Sequence, residues 1–566
     1  MATHASAHAP RETRGRRDGC WALAFVAVAV AALVVGVVAR ATTPTTGTNV
    51  QTWKALRGGE ACFLGGERAW RGTLEANKAR IEASATRVAA ASLGLGAGKG
   101  LGKRSRMMIG SDVGAVEGNL GAEQEAVDAE SLLRATWPWI VTALVASVFM
   151  GIFLMHALKN HSKSVVWGVM YAKVGVLAVV TIASLAHGAL QVSLLLAFLT
   201  LLSALVVWMW RDELNLVASM IAVSTQSLSD NPHLVSVTML LQLGVLAYIL
   251  PLAWFAVSAS QHGSAAINKY AIDKATTANA CVGYYGQVVD CCTWELEHWV
   301  GGYFALVFFA AMWVFAAALE CRMYVVGGVV SQWYFAPAGT TNFKGTTKTS
   351  LRNAFGPSFG TICYGGFVIT AIEFLKAAAE KARRENRGNL LMCCLSICLE
   401  CIYNIIEYIT RFAMIQASMS GEAFCDAART IADLLQRNFL LAYGTYYFPQ
   451  TILGTVVLVL SGLFGYSIYT LSDLGYAISG DDNNSKNAII GGCICFVVSY
   501  IVLTFVVMIL LNVVDAVFVC YAVDKDRSTI HHPDLHQVFN DVTERQTAKQ
   551  RTEQENDDAN TKYSSV

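Results

Sequence analysis

Ten apolar runs of roughly bilayer-crossing length recur along this 566-residue chain, and they limit its fold more than any other feature. They cover residues 21–38, 137–158, 165–187, 190–210, 233–257, 300–335, 355–375, 390–419, 451–471 and 488–518. A backbone immersed in hydrocarbon must satisfy its own amides, so such runs predict α-helices. The chain is therefore expected to be all-α, a polytopic membrane helix bundle with about ten transmembrane helices. Composition agrees, with 54% hydrophobic and only 15% charged residues, against about 25% charged in soluble chains. A net charge of +1 offers no basic surface for nucleic acid. The lipid bilayer is the expected partner, and no nucleic acid.

Details of the runs predict departures from upright spans. The run over 300–335 is too long to cross upright, so it is tilted, broken or continued into the cytosol. Pro251 predicts a kink in the run over 233–257. Residues 211–232 carry Asp212, Glu213 and Asp230 and predict a surface-lying cytosolic helix, and 422–438 predicts another less hydrophobic one. Arg11, Arg14, Arg16 and Arg17 precede the first run and favour a cytosolic N-terminal segment over 1–19. A signal peptide ending near Ala39-Arg40-Ala41 is the alternative. A transporter domain then covers 20–523, with external loops over 41–136 and 259–299, followed by a cytosolic, largely disordered tail over 524–566. This count puts the sequon residue Asn483, a glycosylation candidate, outside. It also puts the basic residues from Lys376 to Arg387 outside, against the charge bias. Either the helix over 355–375 projects beyond the bilayer or a segment near it is re-entrant.

Most of the fifteen cysteines lie in apolar runs, so no disulfide framework is read. Cys281, Cys291 and Cys292 share a loop that could hold a bridge on an oxidising side, and their pairing stays open. The cluster Cys393, Cys394, Cys398 and Cys401 has no histidine nearby in sequence to complete a zinc site, and fits helix packing or lipidation better. The glycine-rich patch from Gly94 to Gly100 fails the spacing of a phosphate loop. No metalloprotease motif, nucleophile elbow or dinucleotide fingerprint is present. No enzyme activity, cofactor or metal is expected.

Acidic side chains within the runs point to function, because a charge held there usually faces a cavity or polar interface. Glu400 and Glu407 are seven apart and share a helix face with Tyr403 and Asn404 nearby. Arg411 follows Glu407 at the spacing of an intrahelical ion pair. Glu320 and Arg322 are expected to pair with neighbouring helices, Glu373 to reach the headgroups, and Asp515 to anchor a helix end. These groups suit a transporter or channel. A non-transporting membrane scaffold or lipid-handling protein is the alternative.

Trp313, Gly328 and Trp333-Tyr334-Phe335 are followed by the glycine-rich stretch from Gly360 to Ile372, GTICYGGFVITAI, and by the cysteine cluster. Next come Arg411-Phe412-Ala413-Met414, Gly421-Glu422-Ala423-Phe424-Cys425, and a closing pattern of Asp515, Phe518, Cys520, Asp524 and Arg527. In this order the motifs resemble the choline transporter-like family (solute carrier family 44), over about residues 137–530. Two features depart from the family pattern: Arg411 stands where asparagine is usual, and the first external loop is shorter than in animal members.

The resemblance implies facilitative uptake of choline or a related organic cation by alternating access, at the plasma membrane or an organelle membrane. Choline lacks N–H donors, so its natural host is an aromatic cage, each ring contributing about 0.5–2 kcal/mol. The candidate substrate-binding residues are Trp254, Trp313, Trp333, Tyr334, Tyr364 and Tyr403, with the Glu407 carboxylate beside them. Tryptophan and tyrosine also form belts at membrane interfaces, which is the competing role for each ring. Gly356, Gly360, Gly365, Gly366 and Pro251 are the expected points of movement. No signature of sodium or proton coupling is present, and oligomeric state stays open.

Overall fold

Apolar runs of this length bury their backbone polar groups in helices, and the computed structural model shows this. It describes residues 15–42, 129–186, 190–267, 269–274, 280–283, 288–290, 292–337, 345–385, 390–437, 439–479 and 485–531, with a few isolated positions besides. Twelve long or medium helices are present among the described residues. They are α1 (Gly19–Ala41), α2 (Ala129–Ala186), α3 (Leu190–Met209), α4 (Arg211–Asp230), α5 (His233–Ala259) and α6 (His298–Tyr334). The remainder are α7 (Thr346–Ala354), α8 (Phe359–Glu385), α9 (Leu390–Ser420), α10 (Phe424–Arg437), α11 (Phe439–Ser479) and α12 (Ser485–Asp526).

Eight of these, counted among the described residues, are long and apolar enough to cross a membrane. One of the eight, α2, leaves helical geometry at His161 (φ −133°, ψ 34°), so it contains the two spans read from the sequence, joined at the basic turn. The helix α9, which carries Glu400, Glu407 and Arg411, is not among the eight counted over the described residues. Its 31 residues still give it membrane length, and the architecture is the expected all-α polytopic bundle. At 1.5 Å per residue α6, α11 and α12 extend about 55–63 Å, well beyond a hydrocarbon core of about 30 Å. The helix α8 runs unbroken through Lys376, Lys381, Arg383 and Arg384, and α5 continues through Pro251.

Two compact units are distinguished. The first contains Met1–Ala27, Ala129–Leu246 and Met312–Val566. Its core draws Leu158 from α2, Leu214 and Ile221 from α4, Val326 and Val329 from α6, Phe412 and Ile415 from α9, and Val513 and Phe518 from α12. The polar helix expected over 211–232 is thus present as α4, and its apolar stripe is buried in the bundle rather than resting on a surface. In contrast, Leu194, Phe198 and Leu201 of α3 are exposed, the apolar outer wall that lipid would cover.

The second unit contains Val28–Asp128 and Ala247–Ala311. Here Ala32, Leu252 and Ala310 are buried together, Tyr248 donates to the Ala29 carbonyl at 3.0 Å, and the His262 Nε2 lies 2.8 Å from the Ala39 carbonyl. The segment expected as an external loop over 259–299 contains five short strands. Strand β1 (Gly263–Ile267) pairs antiparallel with β5 (Cys292–Leu296), and β2 (Ala271–Lys274), β3 (Ala280–Gly283) and β4 (Val288–Asp290) form a three-stranded sheet. Cys62, Cys291 and Asn483 lie outside the described residues, as does the Gly94–Gly100 patch.

Candidate functional site

On α9 the residues Tyr403, Glu407 and Arg411 recur every four positions and so share one face. That face looks onto α6, α8 and α12, all within the first unit. There these four helices, with Gln450 of α11, line a cavity of about 340 Å³. Glu320 and Arg322 of α6, Thr370 and Glu373 of α8, and Asn512 of α12 complete its polar wall, with Phe315 and Met508 among the apolar lining. The close fit of α6 on α8 depends on Gly366, where a methyl group would lie 2.7 Å from the backbone of Ala317. Small residues let membrane helices approach in this way.

The charges are arranged unevenly. The Glu373 and Glu407 carboxyls both lie beside the Tyr403 hydroxyl in the cavity lining. A phenol has one hydrogen to give, so two carboxyl groups converge where one donor is available. The Lys376 ammonium sits 4.7 Å from the centroid of the Tyr403 ring and 3.9 Å from a Glu400 oxygen. Arg411 is drawn across to α12, where it donates to Asn512 Oδ1 at 3.1 Å and lies 3.5 Å from Asp515. Three buried polar atoms on the cavity residues have no hydrogen-bond partner among the described residues: Glu320 Oε2, Arg322 Nε and Asn512 Nδ2.

Of the ring candidates named from the sequence, only Tyr403 lines this cavity, together with Glu407. Trp313 and Tyr364 join a separate ring cluster with the start of α1. Trp21 stacks on Tyr364 at 4.6 Å, Phe25 meets Trp313 edge-on at 5.4 Å, and the Trp313 indole donates to the Cys363 carbonyl at 3.0 Å. This cluster adjoins the cavity, because a methyl on Gly365 would come within 3.3 Å of Phe424 and 3.6 Å of Glu320 Cγ. Asp18 fastens the cluster by accepting from Thr361 Oγ1 at 3.0 Å and from the Phe424 amide at 3.1 Å. Trp333 and Tyr334 are buried at the end of α6, where they donate to Asp230 at 3.0 Å and Asp524 at 3.5 Å. In the second unit, Trp254 is 63% exposed, with Arg40 6.0 Å from its ring.

Several groups at the cavity were given other roles by sequence reasoning. Glu373, expected to reach the headgroups, lines the cavity with Tyr403, and Glu320 and Arg322 line it as well. Asn512 carried no sequence signal of its own, being one amide inside a long apolar run. Among the described residues no three His, Cys, Asp or Glu side chains converge as a metal site.

Fold and cavity together define a multi-pass membrane protein with a polar, carboxylate-rich interior. Residues 194–526 match the family model described as plasma-membrane choline transporter, and the chain belongs to that family. It is similar to two CTL-like proteins of Dictyostelium discoideum. One is 29% identical over 250 residues, covering 41% of this chain and 42% of the relative. The other is 21% identical over 386 residues, covering 67% and 62%. Choline transporter-like protein 5 of Macaca fascicularis is 25% identical over 142 residues, 23% of this chain and 19% of that protein. The chain thus matches less than two thirds of the length of these relatives.

Proposed function

We propose that this protein is a facilitative transporter of choline or a related organic cation, working by alternating access in the plasma membrane. Family membership supports a transporter, and one observation carries the cation: the Glu373 and Glu407 carboxyls flank Tyr403 in one cavity among long apolar helices. Carboxylates held together away from bulk water attract a positive charge to the space between them. The Tyr403 ring adds about 0.5–2 kcal/mol for an ammonium over its face. Selectivity in this reading comes from acidic groups and one lining tyrosine more than from a closed cage of rings.

An inside-negative potential favours cation entry by about 2.3 kcal/mol per 100 mV, so uptake runs without ion coupling. Access alternates by rearrangement where α6 and α8 meet at Gly366 and where the α1 start covers the ring cluster. The N-terminal segment and the tail beyond residue 524 face the cytosol in this scheme. Purified protein in sealed vesicles tests it: labelled choline accumulates above the level of empty vesicles, and Glu407→Gln lowers that uptake. Folded protein giving no more uptake than empty vesicles would leave a scaffold or lipid-handling role as the better account.

A further inference from the structure

The cavity has further polar lining groups that binding of a bare ammonium leaves unused. Glu320, Arg322 and Asn512 are 6%, 8% and 0% exposed, all three line the cavity, and each holds a polar atom without a hydrogen-bond partner among the described residues. An unmet buried polar group is costly, and more so when it is charged. Three lining one cavity point to a ligand group that satisfies them.

Their chemistry selects the group. Arg411 carries only donors, so Asn512 must turn its oxygen toward the guanidinium, and the observed contact is of that kind. Its amide NH2 is thereby fixed as a free donor. Arg322 Nε is also a donor, whereas Glu320 Oε2 is an acceptor. An anion would satisfy the two donors but meet Glu320, Glu373 and Glu407 with the wrong sign. A second ammonium would satisfy Glu320 alone. A hydroxyl does both, giving its hydrogen to Glu320 and accepting from Asn512 or Arg322.

We propose that Glu320, Arg322 and Asn512 form a subsite that reads the hydroxyl of a hydroxylated ammonium substrate, the cationic end lying at Tyr403, Glu373 and Glu407. This assignment rests on the cation-transport reading above and adds the feature that distinguishes one small organic cation from another. Sites built to bond a hydroxyl discriminate strongly against analogues that lack it, because their own polar groups are then stranded.

The test compares choline with n-propyltrimethylammonium, which replaces the hydroxyl by a methyl. Uptake into vesicles gives kcat/KM for each cation, and the melting temperature of the purified protein reports binding separately. Wild-type protein should prefer choline by at least about tenfold. Asn512→Asp keeps an oxygen for Arg411 but removes the donor, and Glu320→Gln removes the anionic acceptor. Either change should lower choline efficiency more than that of the analogue and bring the preference below about threefold. Should N512D fail to fold, E320Q carries the comparison.

Equal handling of the two cations by the wild type would overturn the subsite, as would an undiminished preference in both folded variants. If neither cation is taken up yet choline alone raises the melting temperature, the transport reading fails and the subsite stands. If neither is taken up nor bound, both fail.

Discussion

Arg411 on α9 lies 3.5 Å from Asp515 on α12, so a cation at the cavity wall is neutralised from a helix 104 positions further along the chain. Their side chains are only 20% and 8% exposed, and the pair joins two elements of the main core. Removing one partner of such a pair leaves a buried charge uncompensated. Asp515→Leu should therefore destabilise the protein by about 3–5 kcal/mol, whereas Arg411→Met with Asp515→Leu should recover most of that loss. Melting temperatures in one detergent check this. A double variant no more stable than D515L would show that the pair is not the relevant unit.

The start of α10 lacks a capping side chain of its own, since Ala423 precedes Phe424. Asp18 supplies the cap from 406 positions away, accepting the Phe424 amide and holding Thr361 at the same oxygen. A carboxylate also suits the positive end of the helix dipole. Asp18→Ala should cost about 1–2 kcal/mol and speed hydrogen exchange at Phe424 and its neighbours. Unchanged exchange in the first turn of α10 would contradict the cap.

Local pattern made part of this molecule legible. Apolar runs gave the helices, including the break near His161, because a helix in hydrocarbon is fixed by composition and length. The i, i+4 spacing gave the Tyr403–Glu407–Arg411 face. What crosses between helices was not legible. Spacing offered Arg411 a neighbour in Glu407, and packing adds Asp515 and Asn512 from α12. Trp313 and Trp333 have the residue type expected of a cation site, and their indoles donate to Cys363 and Asp230, contacts that depend on helix register in space. Trp21 and Phe25 looked like part of an ordinary first span, yet they complete the ring cluster around Tyr364 and Trp313.

Gly366 marks a close approach of α6 and α8, with its absent side chain facing Ala317 Cα and N at 2.7 Å. Backbone atoms cannot swing aside as a side-chain end can. Gly366→Ala must push the helices apart, at a cost of about 1–3 kcal/mol. Because both helices line the cavity, uptake should fall together with melting temperature. Ala317→Gly on the facing helix should recover part of both. Full activity in G366A would show that this contact does not shape the site.

Lys376 places an ammonium over Tyr403, the one ring named from the sequence that lines the cavity, at 4.7 Å from its centroid. In the proposed function a substrate ammonium uses that ring, so the lysine competes from a fixed tether. Lys376→Met keeps most of the apolar stem and removes the charge. The KM for choline should then fall by about two- to fivefold, the range of a partly exposed cation–π contact. Stability should change little, by about 0.5 kcal/mol or less, because the Lys376–Glu400 pair is solvent-accessible. Tyr403→Phe retains the ring and should preserve the gain from K376M. Tyr403→Ala removes the ring and should abolish it, so the two changes are non-additive in a double-mutant cycle. An unchanged or higher KM in K376M, or an equal gain in the Y403A background, would rule out competition at this ring.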